Sequence, residues 1–274
     1  MKILISVDME GISGVTAREH VTPGNPDYER FRRVMTADVN SAIKGAQQAG
    51  ADDILVVDGH WNAGNLLLEE LDPRVRLISG VGSPLATVHG IDTGVAGLLL
   101  VGYHARRGSL NAILDHTWSS ACVANLWLNG KLTGEIGLNA AVAGHFDVPL
   151  LMISGDQTTC AEAAELVPGI EAAMVKKAVG RSAAECLPLE IAHQRIREAA
   201  GRAIARLRAE MAPTPYRVQP PVLIAVEFIA SDMADRAMLL PGTTRLDGER
   251  IQITAPDMVT GYRSFQAAVG LARS

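Results

Sequence analysis

Aromatic side chains are scarce in this 274-residue chain, which has four Phe, three Trp and four Tyr. Its core must therefore be built from Ala, Val, Ile and Leu. Charge is scarce too, at 20% of residues against 48% hydrophobic, and the mean hydropathy is +0.15; such a composition excludes intrinsic disorder. Cysteine is limited to Cys122, Cys160 and Cys186, an odd number, widely spaced and without a Cys-x-x-Cys pair. That excludes a disulfide framework and a thiolate zinc site. Long apolar runs are missing as well. The strongest, Ile3–Val7, Ile54–Val57, Val95–Val101, Val148–Ile153 and Val222–Val226, fall far short of the roughly 20 residues that span a bilayer. Asp8 and Glu10 interrupt the first run too early for a signal peptide. The formal charge of −5 argues against a nucleic-acid partner. Gly80-Val81-Gly82 is too short for a dinucleotide fingerprint, and no Gly-x-x-x-x-Gly-Lys-Ser/Thr loop is present. The expectation is a cytoplasmic protein, with no membrane partner and with more apolar surface than a monomer needs to hide. Association with copies of itself is the natural outlet.

What is present is an alternation of β-branched runs with helical segments, the pattern of an α/β fold with a mostly parallel sheet flanked by helices. Ile3–Val7, Ile54–Val57, Val75–Ile78, Gly97–Val101 and Leu150–Ile153 read as strands. Asn25-Pro26 opens a helix in which Phe31, Met35, Val39, Ile43 and Ala46 share one face, and Gly50 is its stop. Asn129-Gly130 marks a hairpin. Helices are expected near Ile136–Gly144 and at Cys160–Leu166. From about residue 188 the pattern changes to a long helix (Leu189–Glu210), a proline-rich stretch, a strand at Val222–Phe228, a hairpin turning at Asp247-Gly248 and a closing helix capped by Asp257. The expected organisation is a catalytic α/β domain over 1–187 and a smaller C-terminal α+β portion over 188–274, serving assembly and site closure.

Three of the apolar strands run directly into metal-competent side chains. Ile3–Val7 leads to Asp8 and Glu10, Ile54–Val57 to Asp58-Gly59-His60, and Gly97–Val101 to Gly102-Tyr103-His104. Parallel strands place their carboxyl ends along one edge, where open α/β sheets bind ligands. One Asp after a buried strand is usually a helix cap or a turn former, and one histidine is usually a satisfied polar residue. Coincidence at three strand ends points instead to a shared metal site.

Ser6-Val7-Asp8-Met9-Glu10-Gly11, Asp58-Gly59-His60, Gly102-Tyr103-His104-Ala105-Arg106 and Gly134-Glu135-Ile136-Gly137-Leu138-Asn139-Ala140 resemble, in order and spacing, the DppA-type D-aminopeptidases. The resemblance extends from Met1 to beyond Val222. It implies two Zn2+ per subunit, with Asp8 bridging them, Glu10 holding one, and His60, His104 and Glu135 completing the ligand set. It implies a catalytic role for His116, and assembly as a decamer of two stacked pentameric rings around a channel. Two histidines and three carboxylates suit zinc, and a shared carboxylate offsets the repulsion between paired dications. The expected chemistry is attack on a peptide carbonyl by a hydroxide activated between the two metals; for His116 the resemblance leans towards a nucleophile, whereas the reference pKa of an imidazole favours proton transfer as general base or as donor to the leaving amine. Arg106 is a candidate for a substrate carboxylate, with a surface ion pair as the plainer role; Asn139 either faces the site or caps local backbone. The expected function is hydrolysis of an N-terminal residue, D-configured, from short peptides or amides. The alternatives are a metal-dependent amidase or phosphoesterase, and a non-catalytic peptide-binding oligomer.

Overall fold

The first strand, β1 (Lys2–Val7), is buried on both faces from Ile3 onward and apolar there except at Ser6, as suits a strand at the centre of a parallel sheet. In the computed structural model, which describes residues 1–273, β1 is followed by α1 (Pro26–Gln48), β2 (Asp53–Asp58), β3 (Arg76–Ile78) and β4 (Gly97–Val101). A hairpin of β5 (Val123–Leu128) and β6 (Lys131–Thr133) leads into α2 (Glu135–His145), β7 (Leu150–Asp156) and α3 (Gln157–Leu166). Then come β8 (Glu171–Gly180), β9 (Ala183–Cys186), α4 (Leu189–Arg208), β10 (Val222–Phe228), α5 (Ser231–Ala237), β11 (Thr243–Arg245), β12 (Arg250–Ala255) and α6 (Met258–Arg273).

Seven strands form one sheet in the order β3-β2-β1-β4-β7-β8-β9, parallel except for β9. Five form an antiparallel sheet in the order β11-β12-β10-β5-β6. Alternation along the central strands feeds two cores. Ile3, Ile5, Val7, Leu99 and Val101 pack with the apolar stripes of α1 and α4. Leu4, Leu98, Leu100 and Ile153 pack with α2, α6 and the inner face of the second sheet. Each such aliphatic side chain contributes roughly 1.5–3 kcal/mol on burial, so a core poor in aromatics is no handicap. α1 and α4 meet at Gly45, where a Cβ would lie 2.0 Å from the Arg197 carbonyl oxygen; nothing larger than glycine fits. Residues Glu135 to Gly144 of α2 are all buried, as expected of a helix enclosed by other elements. Among the described residues no helix is long and apolar enough to cross a membrane.

The expected mostly parallel sheet and its helices are present, and the Asn129-Gly130 turn has both residues at positive φ, 46° and 78°. The sequence pattern predicts no strands between Leu166 and Leu189, yet β8 and β9 lie there. Lys176-Lys177 breaks the apolar run, and Lys176 is buried nonetheless because its ammonium bonds backbone carbonyls inside the protein. Burial pushes its pKa down to about 8. The boundary expected near residue 188 falls between β9 and α4. Beyond it, α4 packs on α1 and β8, while β5 and β6 complete the second sheet beside β10. Both layers thus draw on both stretches of chain.

Candidate metal centre

Val7 is paired with Asp58 on one side and with Val101 on the other, so β1, β2 and β4 end level. The chain builds β2 and β3 to one side of β1 and then returns to place β4 on the other. The crevice between β1 and β4 is therefore the switch point at which such sheets bind ligands. The Asp8 amide donates to the Val101 carbonyl at 2.9 Å and the Gly11 amide to the Gly102 carbonyl at 2.8 Å. A Cβ on Gly11 would lie 1.8 Å from the Tyr103 carbonyl oxygen. Glycine is thus required where the segment carrying Asp8 and Glu10 crosses the end of β4.

These constraints bring Asp8, Glu10, His60 and His104 together, and Glu135 joins them from the first turn of α2; all five are buried. His60 Nδ1 lies 3.1 Å from Asp8 Oδ1 and 3.1 Å from Glu10 Oε2. His104 Nε2 lies 3.3 Å from Asp8 Oδ2 and 3.2 Å from Glu135 Oε1. The two oxygens of Asp8 therefore face two different imidazoles, each with its own further carboxylate. The His116 ring stacks on His104, centroids 4.0 Å apart, and its Nε2 lies 3.9 Å from Glu135 Oε1. Donor atoms of Asp8, Glu10 and His104 fall within 4.8 Å of one another, and so do those of His104, His116 and Glu135.

Each imidazole is oriented from behind. His60 Nε2 bonds the Val21 carbonyl at 2.8 Å, His104 Nδ1 the Ala105 carbonyl at 2.9 Å, and His116 Nδ1 the Leu114 carbonyl at 3.0 Å. A carbonyl only accepts, so these nitrogens carry the protons, and the opposite nitrogens are left to face the carboxylates. That is how histidines are held when the free nitrogen ligates a metal. Glu10 Oε2 and His104 Nε2 are buried without a hydrogen-bond partner, so each is a donor atom in want of a cation. Mixed imidazole and carboxylate donors fit zinc.

Without a metal, protons must compensate the carboxylates. Burial pushes the Asp8 carboxyl up, but the close approach and charge of His104 and His60 outweigh it and hold the group well below its usual range. Burial likewise opposes ionised Glu10, and nearby Asp8 adds to that; His60 pulls its pKa down. Burial lowers His60 and His104, yet Glu10 and Asp8 raise the first, and Glu135 and Asp8 the second, well above the ordinary value. Ligating imidazoles must be neutral at the ligating nitrogen, so metal uptake near neutral pH should release about two protons per chain. The sign for stability follows. Raised histidines stabilise the metal-free fold fully below their unfolded pKa of about 6.5, and that contribution is lost as pH rises through their folded values. The gap in thermal midpoint between zinc-loaded and metal-free protein should therefore widen with pH. Calorimetry in buffers of different ionisation enthalpy checks the proton count; a zinc affinity independent of pH across about 6 to 8 would refute it.

Asp58 serves the site through backbone. Its carboxylate accepts from the amides of Asn65 at 2.6 Å and Leu66 at 2.9 Å, from Asn65 Nδ2 at 2.8 Å, and from the His60 amide at 3.4 Å. It closes the loop that carries His60 and does not touch the ring. Asp58→Ala would strand these buried donors and should cost about 2–4 kcal/mol in denaturant unfolding. A variant as stable as the parent would contradict this role.

Asp115 points away from its neighbour His116, to Arg181 Nε at 2.9 Å and the Gly108 amide at 2.6 Å. Arg106 is half-buried; its amide donates to Glu162 Oε2 at 2.9 Å, and its guanidinium has no hydrogen bond or ion pair among the described residues. Asn139, expected at the substrate or capping backbone, is wholly buried in α2. Its amide donates to the Tyr103 hydroxyl at 2.8 Å and accepts from Thr87 Oγ1 at 2.9 Å, so its polar atoms are engaged by protein partners and no part of it is exposed. Ser6 completes this network with bonds to Tyr103 and the Thr87 carbonyl, both 2.6 Å. Sequence reading noted Ser6 only as part of a motif and did not single out Thr87 or Glu162, because only tertiary packing puts them under the site. Lys176 escaped for the same reason.

The comparisons agree with this geometry. A solved structure, described as "Zn-dependent D-aminopeptidase DppA from Bacillus subtilis, a self-compartmentalizing protease", superposes with a TM-score of 0.95 at 36% identity, covering 100% of this chain and 98% of that one. A curated relative, "D-aminopeptidase" of Bacillus subtilis (strain 168), is 38% identical over 280 residues, 99% of this chain and 98% of its own length. The family model for Peptidase M55, D-aminopeptidase, matches residues 1–267. With strand ends, inward-facing donors and full-length similarity in agreement, the chain belongs to the Peptidase M55 D-aminopeptidase family.

Proposed function

We propose that the chain is a zinc-dependent aminopeptidase that removes an N-terminal residue, D-configured, from short peptides or amides. Two zinc ions per subunit are held by Asp8, Glu10, His60, His104 and Glu135. The observation that carries the reading is the division of Asp8, with Oδ1 towards His60 and Glu10, and Oδ2 towards His104 and Glu135. A carboxylate so placed belongs to two half-sites at once. The relatives' printed names supply the substrate class and the metal.

Bound zinc supplies Lewis-acid polarisation of the scissile carbonyl and acidifies water. The chain's own residues do the rest. Asp8, Glu10 and Glu135 balance most of the charge of two dications. The backbone bonds behind His60 and His104 fix the ring orientations before any metal arrives, and they keep the proton on the far nitrogen once the ligating nitrogen has lost its own. His116, with Nδ1 fixed by the Leu114 carbonyl, presents Nε2 beside Glu135 and passes a proton to the leaving amine. Arg106, whose guanidinium is unpaired among the described residues, takes the carboxylate of a short peptide. Asn139 acts at one remove, by holding Tyr103 between β4 and His104.

The described relative is self-compartmentalizing, and we assign to this chain the same habit, as a cytoplasmic decamer of two pentameric rings. Exposed Leu110, Val81, Leu239 and Leu68 provide apolar surface for such contacts. The test of function compares D-Ala amide, L-Ala amide and a phosphate ester, with metal-depleted and zinc-restored protein. Zinc-dependent release of D-Ala is expected. Hydrolysis of the ester alone, or of nothing, would overturn the reading.

A further inference from the structure

A buried lysine without an acidic partner is costly, and Lys176 is one. It lies in β8, 1% exposed, with no salt bridge among the described residues. Its ammonium donates instead to three carbonyls, those of Glu10 at 2.6 Å, Ile12 at 2.8 Å and Val15 at 2.7 Å. Three acceptors match the three N–H groups of an ammonium. All three lie in the segment that follows Asp8, which forms no helix or strand and whose residues from Met9 to Ser13 are buried. Buried carbonyls outside regular structure must find donors elsewhere, and Lys176 supplies them from β8, with β4 and β7 between it and β1 in the sheet.

The same segment is anchored at two further points. Gly11 is pressed against the Tyr103 carbonyl, and Ser13 bonds the buried Asp38 through its amide and its hydroxyl, both at 2.9 Å. Glu10 is the residue at which this clamp meets the metal centre. Its carbonyl is on Lys176, and its Oε2 is the unpartnered atom facing His60.

We propose that Lys176 is a positioning residue, a tethered cation that fixes Glu10 for metal binding by gathering the carbonyls of Glu10, Ile12 and Val15. The cradle it fills takes a small free ammonium ion once the side chain is cut away. The inference rests on Glu10 being a zinc ligand, as proposed above.

In Lys176→Met, which keeps the apolar stem and removes the donors, zinc affinity measured by chelator competition should weaken by about 10–100-fold. Turnover of the zinc-saturated variant should fall with KM little changed. Amides of residues 10–16 should exchange faster in the metal-free protein. Lys176→Ala should recover slow exchange and zinc affinity in n-propylammonium chloride, whose carbons and ammonium replace the atoms lost beyond Cβ. Tetramethylammonium chloride at equal ionic strength, having no N–H, should not restore them. A Lys176→Met protein with parental zinc affinity and exchange overturns the proposal. So does a Lys176→Ala chain that behaves alike in the two salts, whether or not it folds. Exchange is read without metal, so these outcomes stay distinct from failure of the ligand assignment, which would show as parental zinc binding by Glu10→Ala.

Discussion

Asp8→Ala is expected to lose both zinc ions, not one. Oδ1 stands 3.1 Å from His60 Nδ1 and Oδ2 stands 3.3 Å from His104 Nε2, so alanine removes an oxygen from each half-site. It also removes the charge that offsets the repulsion between paired dications. Glu10→Ala and Glu135→Ala, by contrast, each take a carboxylate from one half-site and should spare the other ion at saturating zinc. Activity of Asp8→Ala should drop to that of the metal-depleted parent, and added zinc should not restore it. Elemental analysis after gel filtration checks this. One retained zinc per chain would show that Asp8 serves a single ion, and full retention would remove it from the ligand set.

The second large effect is expected at His116. His116→Ala should keep both metals and lose turnover by about 10²–10⁴-fold, the range for loss of a positioned acid–base group. Its Nδ1 is committed to the Leu114 carbonyl, and its ring lies flat against His104, which fixes where Nε2 points. The loop that carries it is tied down by Asp115 to Arg181 and by the Ile113 amide to Asp156 Oδ2 at 2.7 Å. The defect should therefore be chemical, with KM little moved, and exogenous imidazole should restore part of the rate. His116 also lies within ligating distance of His104 and Glu135. A fall to one zinc per chain would make it a ligand, and an active variant would move proton transfer to another group.

The strand ends were legible in the sequence because burial on both faces leaves an unbroken aliphatic run, and a charged residue directly after it stands out. That is how Asp8, Glu10, His60 and His104 are found, and register then brings them level. Glu135 and His116 carry no such mark. One begins a helix after a hairpin and the other sits in an irregular loop, so they enter only through the resemblance to a family. Asn139 shows the limit of that route, since a residue within a matching motif turns out to support the floor of the site. Lys176 shows the limit of pattern reading. A lysine in a strand looks solvated, and its acceptors lie more than 160 residues away in sequence. The hairpins at Asn129-Gly130 and Asp247-Gly248 were readable because local turn chemistry specifies them, whereas β8 and β9 depend on contacts distant along the chain.

The central claim is that Asp8 joins two metal half-sites at the carboxyl ends of β1, β2 and β4. Anomalous diffraction at the zinc edge from zinc-loaded crystals tests it most directly. Two peaks per chain are expected, one beside Asp8, Glu10 and His60 and the other beside Asp8, His104 and Glu135. A single peak, or peaks away from Asp8, would contradict it.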